Sequence, residues 1–87
     1  MTYLLIRHKV SDFATWKPAY DAHAVSRASA GLTELHLLRS IDNPNEVIIL
    51  FAAADINKAK AFAASDDLRA TMQKAGVMDK PDVYFLN

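Results

Sequence analysis

The chain has 87 residues, of which 52% are hydrophobic and 23% charged, the composition of a single folded domain rather than a disordered segment. Ten basic and ten acidic side chains cancel, so the sequence lacks the excess positive charge that nucleic acid or an anionic membrane attracts. The absence of cysteine excludes disulfides and thiolate metal sites. The longest apolar run, "VIILFAAA", is too short for a membrane helix of ~20 residues, and "YLLI" is too short for a secretion signal, so we expect a cytoplasmic protein.

The first half of the chain predicts a strand and a helix. "TYLLIRHKV" at 2–10 alternates, which places Leu4, Ile6, His8 and Val10 on one face of a strand. A helix should follow from Asp12 as N-cap to Gly31 as the residue after its end. Pro18 lacks the N–H that would bond to the carbonyl of Ala14. We therefore expect a bend between these two residues, or a helix that starts afresh at Trp16.

The second half predicts a hairpin, two short helices and a last strand. "LTELHLLRSI" at 32–41 and "EVIILFAAA" at 46–54 should form strands joined by the turn "DNPN". Asp55 should cap a helix that ends near Ala64, and Ser65 should open another that Gly76 ends. "VYFLN" at 83–87 closes the chain as a strand.

This order of elements, βαββαβ, indicates one ferredoxin-like α+β domain over 1–87, with an antiparallel sheet of strand order 4-1-3-2. Helices cover one face of such a sheet and leave the other open. The third strand is nevertheless apolar on both faces, since Val47, Ile49 and Phe51 alternate with Ile48, Leu50 and Ala52. An apolar open face favours a homodimer that packs sheet to sheet, with Tyr3, Leu5, His36 and Leu38 at or near the interface.

One helical stripe carries the strongest functional signal. Phe13, Trp16, Tyr20, His23 and Arg27 follow one another at spacings of three and four residues, which places them on one face. In one interpretation the aromatic rings are core, His23 is a hydrogen-bonded core histidine, and Arg27 lies at the rim. In the other they border a cavity large enough for a small ligand, in which His23 exchanges protons near neutral pH.

Other candidates come from the strands and the later helix. His8 should approach the stripe from the strand side, or else bond to backbone at the strand end, and Phe51 and Phe62 are core residues that could close a pocket. Arg39 could bind a carboxylate ligand, but we expect it to pair with Glu46 or Asp42 across the hairpin. His36 should face the other subunit if Leu35 and Leu37 are core. Because the histidines do not converge and lack metal-ligand spacing, we expect no metal site.

The stretches "HKVSDFATWKPAYDAH", "RSIDNPNEVIILF" and "AFAASDDLRATMQKAGV" resemble the dimeric α+β barrel superfamily, and within it small relatives of the antibiotic biosynthesis monooxygenases. The resemblance implies a pocket between sheet and helices, with the first helix as one wall. Members of that group act on polycyclic phenols without metal or flavin, using Trp and Asn side chains, and Trp16 is similar to such a Trp. No cofactor is implied.

Two functions follow from these residues. The first is a cofactor-independent monooxygenase, or an isomerase- or cyclase-like enzyme, acting on a small apolar or aromatic metabolite. His23 and His8 would be catalytic, and the substrate would contact Trp16, Tyr20, Arg27, Phe51 and Phe62. The alternative is a non-catalytic ligand-binding or stress-related dimer. An RNA-recognition module is excluded because the strands lack its aromatic and basic motif.

Overall fold

Strands and helices follow one another in the predicted order in the computed structural model, which describes residues 2–78 and 80–87. The elements are β1 (Thr2–Lys9), α1 (Phe13–Ala22), α2 (Ala24–Ser29), β2 (Leu32–Arg39), β3 (Glu46–Ala53), α3 (Ile56–Ala63), α4 (Asp66–Lys74) and β4 (Asp82–Leu86). The sheet order is β2-β3-β1-β4 with antiparallel neighbours. This confirms the ferredoxin-like α+β fold and the strand order 4-1-3-2. Within the described residues, no helix is long and apolar enough to cross a membrane.

The core lies between the helices and one face of the two central strands. Leu4 and Ile6 of β1 are buried opposite Phe51 and Ile49 of β3, as the alternation in both strands predicts. Trp16 from α1 and small residues from the helical layer complete this core. His8 is buried on the same face, so the site described below is built into the core itself.

The first helical region is interrupted at His23 and not at Pro18. The helix already begins at Phe13, and the Trp16 N–H donates to the Asp12 carbonyl at 3.0 Å, so a fresh start at Trp16 is wrong. Pro18 and Ala14 are both exposed, which leaves the unbonded Ala14 carbonyl open to water.

The end of α1 has an identifiable cause in the side chain of Arg27. Its Nη1 donates to the Tyr20 carbonyl at 2.6 Å, and the His23 N–H donates to the same carbonyl at 3.2 Å. The carbonyl is therefore satisfied without another helical turn. The chain resumes as α2 at Ala24 and ends before Gly31, whose φ of 74° suits the residue after a helix.

The other helix starts follow the predicted capping residues. Asp55 accepts hydrogen bonds from the N–H groups of Asn57 and Lys58, and Ser65 accepts one from Leu68. Asp12 occupies the N-cap position of α1, but its carboxylate accepts from the Thr15 hydroxyl instead of from backbone. The first N–H of α1 is bonded by a residue distant in sequence, since Phe13 donates to Asn45 Oδ1 at 2.9 Å.

A β-bulge in β2 changes which of its side chains face the helices. The pairing with β3 shifts between Glu34, opposite Phe51, and His36, opposite Leu50. Cross-strand partners share a face, so Glu34 lies on the helix side and His36 on the open side. The predicted placement of His36 on the open side is confirmed, whereas the placement of Leu35 in the core is wrong, because this leucine falls at the bulge and is 43% exposed.

The open face of the sheet carries mostly apolar side chains. Tyr3 and Leu5 of β1 lie opposite Ala52 and Leu50, and Leu38 lies opposite Ile48 and is 55% exposed. Tyr84 and Leu86 of β4 continue this surface. The residues predicted at a subunit interface therefore share this face.

The ion pair predicted for Arg39 is wrong. Arg39 Nε donates to the Pro44 carbonyl at 2.8 Å, and its guanidinium lies 3.9 Å from the centre of the Phe13 ring. Glu46 instead accepts from Arg7 of β1 at 2.8 Å. Arg39 lies opposite the buried Val47, which directs its side chain toward the helices and away from the acids on the open face.

Candidate functional site

The aromatic stripe of α1 faces the sheet. Trp16 and Tyr20 are buried and stack with ring centres 4.8 Å apart, and Phe13 lies 5.7 Å from Trp16. The helical spacing of these residues accounts for the arrangement, because each adds its ring to the same side of α1. The stripe forms one wall of the candidate site.

His8 approaches this wall from β1. Its ring centre lies 5.5 Å from that of Trp16 in an edge-on arrangement, and neither ring nitrogen has a hydrogen-bond partner among the described residues. The alternative in which His8 bonds to backbone is therefore wrong. Burial lowers the pKa of His8 to about 4, so the imidazole is neutral at pH 7. A buried polar group without a partner costs about 1–3 kcal/mol.

His23 lies at the junction of α1 and α2 and contacts α4. Its Nε2 is 2.9 Å from Asp67 Oδ2, and its ring centre is 5.8 Å from that of Phe62. The side chain of His23 is 13% exposed, whereas that of Asp67 is 73% exposed. A carboxylate bonded to one ring nitrogen orients the imidazole and leaves its other nitrogen for another partner.

Tyr20 is held by two charged side chains. Its hydroxyl donates to Glu34 Oε1 at 2.6 Å, and the Arg27 guanidinium lies 3.7 Å from its ring centre. Burial, reinforced by this hydrogen bond to Glu34, raises the pKa of Tyr20 well above its ordinary value. The phenol therefore stays protonated and acts as a fixed donor to Glu34. Sequence reasoning missed Glu34, because the bulge after it is what places both Glu34 and Leu37 on the helix side of the sheet, where Glu34 bonds to Tyr20.

These side chains converge on one cavity of about 40 Å³. All seven predicted site residues line it: His8, Trp16, Tyr20, His23, Arg27, Phe51 and Phe62. The sequence did not single out Leu68, Thr71 and Met72 of α4, which also line it. The apolar positions of α4 could have signalled them, since Leu68 and Met72 are four residues apart and share a helix face.

The cavity is smaller than the predicted ligand site. A water molecule needs roughly 10–15 Å³ of such space, and pockets for drug-sized ligands reach about 300–1,000 Å³. A space of about 40 Å³ therefore suits a few waters or a small polar group. A larger ligand requires side chains at the wall to move.

The arrangement can perform acid–base chemistry but shows no metal-binding geometry. A neutral His8 offers one N–H donor and one lone pair to a molecule in the cavity, and His23 offers a nitrogen oriented by Asp67. Over 2–78 and 80–87, no group of three or more histidines or acids is placed to hold a metal ion.

Comparison with known proteins establishes the fold. No family model and no curated protein matches the chain. A proposed antibiotic biosynthesis monooxygenase from Bordetella bronchiseptica is 15% identical to this chain and superposes with a TM-score of 0.79. The match covers 99% of this chain and 94% of the Bordetella chain. SnoaB, a cofactor-independent oxygenase from Streptomyces nogalater, is 16% identical with a TM-score of 0.72, covering 99% and 90%. A conserved protein from Methanosarcina mazei is 9% identical with a TM-score of 0.74, covering 99% and 90%. The chain has the ferredoxin-like fold of antibiotic biosynthesis monooxygenase-like proteins, which confirms the resemblance in fold.

Proposed function

We propose that this chain is a cytoplasmic, homodimeric protein that binds a small apolar or aromatic molecule beside His8 and His23. As an enzyme, the protein we propose is a cofactor-independent oxygenase or an isomerase- or cyclase-like enzyme. His23 and His8 then move protons, and Trp16, Tyr20, Arg27, Phe51 and Phe62 surround the substrate.

The unpartnered imidazole of His8 is the observation that carries this proposal. Both of its ring nitrogens are buried and have no partner among the described residues. The cavity around them is lined mainly by aromatic and aliphatic side chains, and its other polar lining residues are Tyr20, His23, Arg27 and Thr71. A structural histidine would reduce this cost by bonding to backbone. A ligand with a hydroxyl or carbonyl group supplies the missing partner and gains the hydrogen bond as binding energy.

His23 is the better placed of the two for proton transfer. Its bond to Asp67 holds the ring in one orientation and leaves the other ring nitrogen for the substrate. Burial disfavours the charged form of His8 and thereby lowers its pKa. Its role is therefore to hold the ligand's polar group.

The open face of the sheet supports the proposed dimer. Ile48 and Leu50 at its centre are only partly buried in the single chain, while Leu38 and Tyr84 are at least half exposed. A second copy is the occupant that the symmetry of this apolar face favours, since each subunit presents the same surface.

Binding can be tested with phenol, and with toluene as the matched ring that lacks the hydroxyl. The chain has three histidines, so a spectrum of ¹³C-labelled imidazoles reports on each one, and His36 on the open face serves as an internal control. Phenol is expected to shift the signals of His8 and His23 and to bind about three- to tenfold more tightly than toluene. His8→Phe should abolish this preference. Equal binding of the two probes, or shifts at His36 alone, would contradict the proposal.

Catalysis is tested by oxygen uptake with 1,8-dihydroxyanthrone, a polycyclic phenol, in the absence of metal and flavin. If the protein is an oxygenase, it consumes oxygen in this assay. His23→Ala should abolish the oxygen uptake, and Asp67→Asn should lower it far more than Asp66→Asn does. Asp66 is the matched control because it adjoins Asp67 in sequence and its side chain is 98% exposed.

The second candidate is a non-catalytic ligand-binding or stress-related dimer, and the small volume of the cavity favours it. The stacked Trp16 and Tyr20 leave a space of about 40 Å³, which does not admit a polycyclic substrate without rearrangement. Phenol binding without oxygen uptake or other turnover would support this candidate.

A further inference from the structure

A second, larger groove lies beside the histidine cavity, between α4 and β4. It encloses about 330 Å³, within the range of small-molecule pockets. Its apolar lining includes Leu68 and Met72 of α4 and Val83 of β4. Its volume exceeds that of the histidine cavity severalfold, so it can hold the body of a ligand that the inner space cannot.

The groove and the histidine cavity share part of their lining. Ile6, Leu68 and Met72 line both the groove and the histidine cavity. Leu68 and Met72 are partly exposed, and α4 contains no fully buried residue, so its packing against the sheet is loose compared with that of α1. Methionine is unbranched and adapts its conformation readily. Rotation of these two side chains would join the groove to the cavity.

The charges along the groove have one sign. Among the described residues that line the groove, the charged ones are Arg69 and Lys80. Arg69 has one acidic neighbour, Asp66, but their charged atoms are 3.8 Å apart and both side chains are largely exposed. Such an exposed pair is weak and leaves the guanidinium able to bind another anion.

We propose that this groove is the entrance to the histidine cavity and that the ligand is a small molecule with an apolar body and one anionic group, such as a carboxylate. The anion stays at Arg69 and Lys80, and the apolar end passes between Leu68 and Met72 toward His8. This inference rests on the proposed function, because it names the class of ligand that reaches the same histidines.

The test compares three probes of equal chain length: octanoate, octan-1-ol and octylamine. Octanoate is expected to bind most tightly and octylamine most weakly. The double variant Arg69→Gln/Lys80→Gln should weaken octanoate about fivefold and leave octan-1-ol unchanged, because two exposed ion pairs are lost. Lys58→Gln removes an exposed lysine of α3 that does not line the groove and should change neither affinity.

Labelled Met72 methyl and histidine ring signals show where octanoate lies. Shifts at Met72, His8 and His23 support the proposal, whereas shifts at Met72 alone overturn the entrance. Equal binding of octanoate and octan-1-ol overturns the anionic ligand. If phenol reaches the histidines but octanoate does not, this inference fails and the proposed function stands. If neither does, both fail.

Discussion

Replacing His8 by phenylalanine is expected to flatten the loss of stability that the protein shows in mild acid. Burial lowers the pKa of His8 from 6.5 to about 4, while the unfolded chain retains the ordinary value. Between these two pH values His8 is protonated in the unfolded state and stays neutral in the folded state. The contribution of His8 to the free energy of unfolding is therefore fully present above pH 6.5 and is lost as the pH falls toward 4.

The size of this effect follows from the two pKa values. The difference in proton binding lowers the free energy of unfolding by about 2 kcal/mol at pH 5, and by about 3 kcal/mol at pH 4, relative to neutral pH. In His8→Phe this contribution is absent. At pH 7 the variant should be as stable as the parent or slightly more stable, because it loses a buried polar group that has no partner and keeps a ring beside Trp16.

Urea denaturation from pH 4.5 to 7.5, at one protein concentration, measures the effect for the parent and for His8→Phe. Other groups that titrate in this range are present in both proteins, so the difference between the two curves isolates His8. Lys58→Gln is the control, since it removes an exposed side chain of α3 that does not line the cavity and leaves all three histidines in place.

Parallel curves for the parent and His8→Phe would refute the reasoning. That result would mean that the folded protein protonates His8 as readily as the unfolded chain does. The imidazole would then be hydrated or bonded in the folded state, and the argument for a ligand as its missing partner would lose its basis.

Three further predictions concern the supports of the site. Tyr20→Phe should lower the free energy of unfolding in urea by about 1–2 kcal/mol, because it removes a charge-assisted hydrogen bond, and Glu34→Gln should cost less, because the amide oxygen still accepts from the hydroxyl. Ile48→Asp should convert a dimer to a monomer in light scattering and lower its melting temperature, whereas Val25→Asp, at a position 78% exposed on α2, should do neither. Asn45→Ala should destabilise the protein by about 1 kcal/mol in urea, because it removes the side-chain bond to the first N–H of α1, and an unchanged midpoint would contradict that role.

The faces of β1 and β3 could be predicted from sequence because they depend on alternation alone. Leu4, Ile6 and His8 had to share a side, and the helical spacing of Trp16, Tyr20 and His23 pointed their side chains to the same layer. These patterns brought six of the seven predicted residues to one cavity, all but Phe62 of α3. The partners of those residues were not predictable in the same way, because each depends on a contact across the chain.

Glu34 and Asp67 illustrate that limit. Strand alternation alone does not reveal the bulge after Glu34, and Asp67 reads as an ordinary acid in the first turn of a helix. Pro18 shows a different error, since a helix that starts afresh at Trp16 was one expected answer to its missing N–H, whereas α1 begins at Phe13 and continues past Pro18. Local sequence rules predicted which face of a strand or helix each side chain occupies, whereas its hydrogen-bond partners depend on contacts between distant parts of the chain.

The bond between Asn45 and the start of α1 has a consequence for the order of folding. The wall that carries Trp16 and Tyr20 has its first N–H group satisfied by a residue 32 positions later in the chain. During synthesis the segment up to Gly31 can form helical turns, but this end of α1 stays frayed until the β2–β3 hairpin has emerged and closed. The cavity is therefore assembled late, by a long-range closure, and an N-terminal fragment ending before Asn45 should not hold its aromatic wall in place.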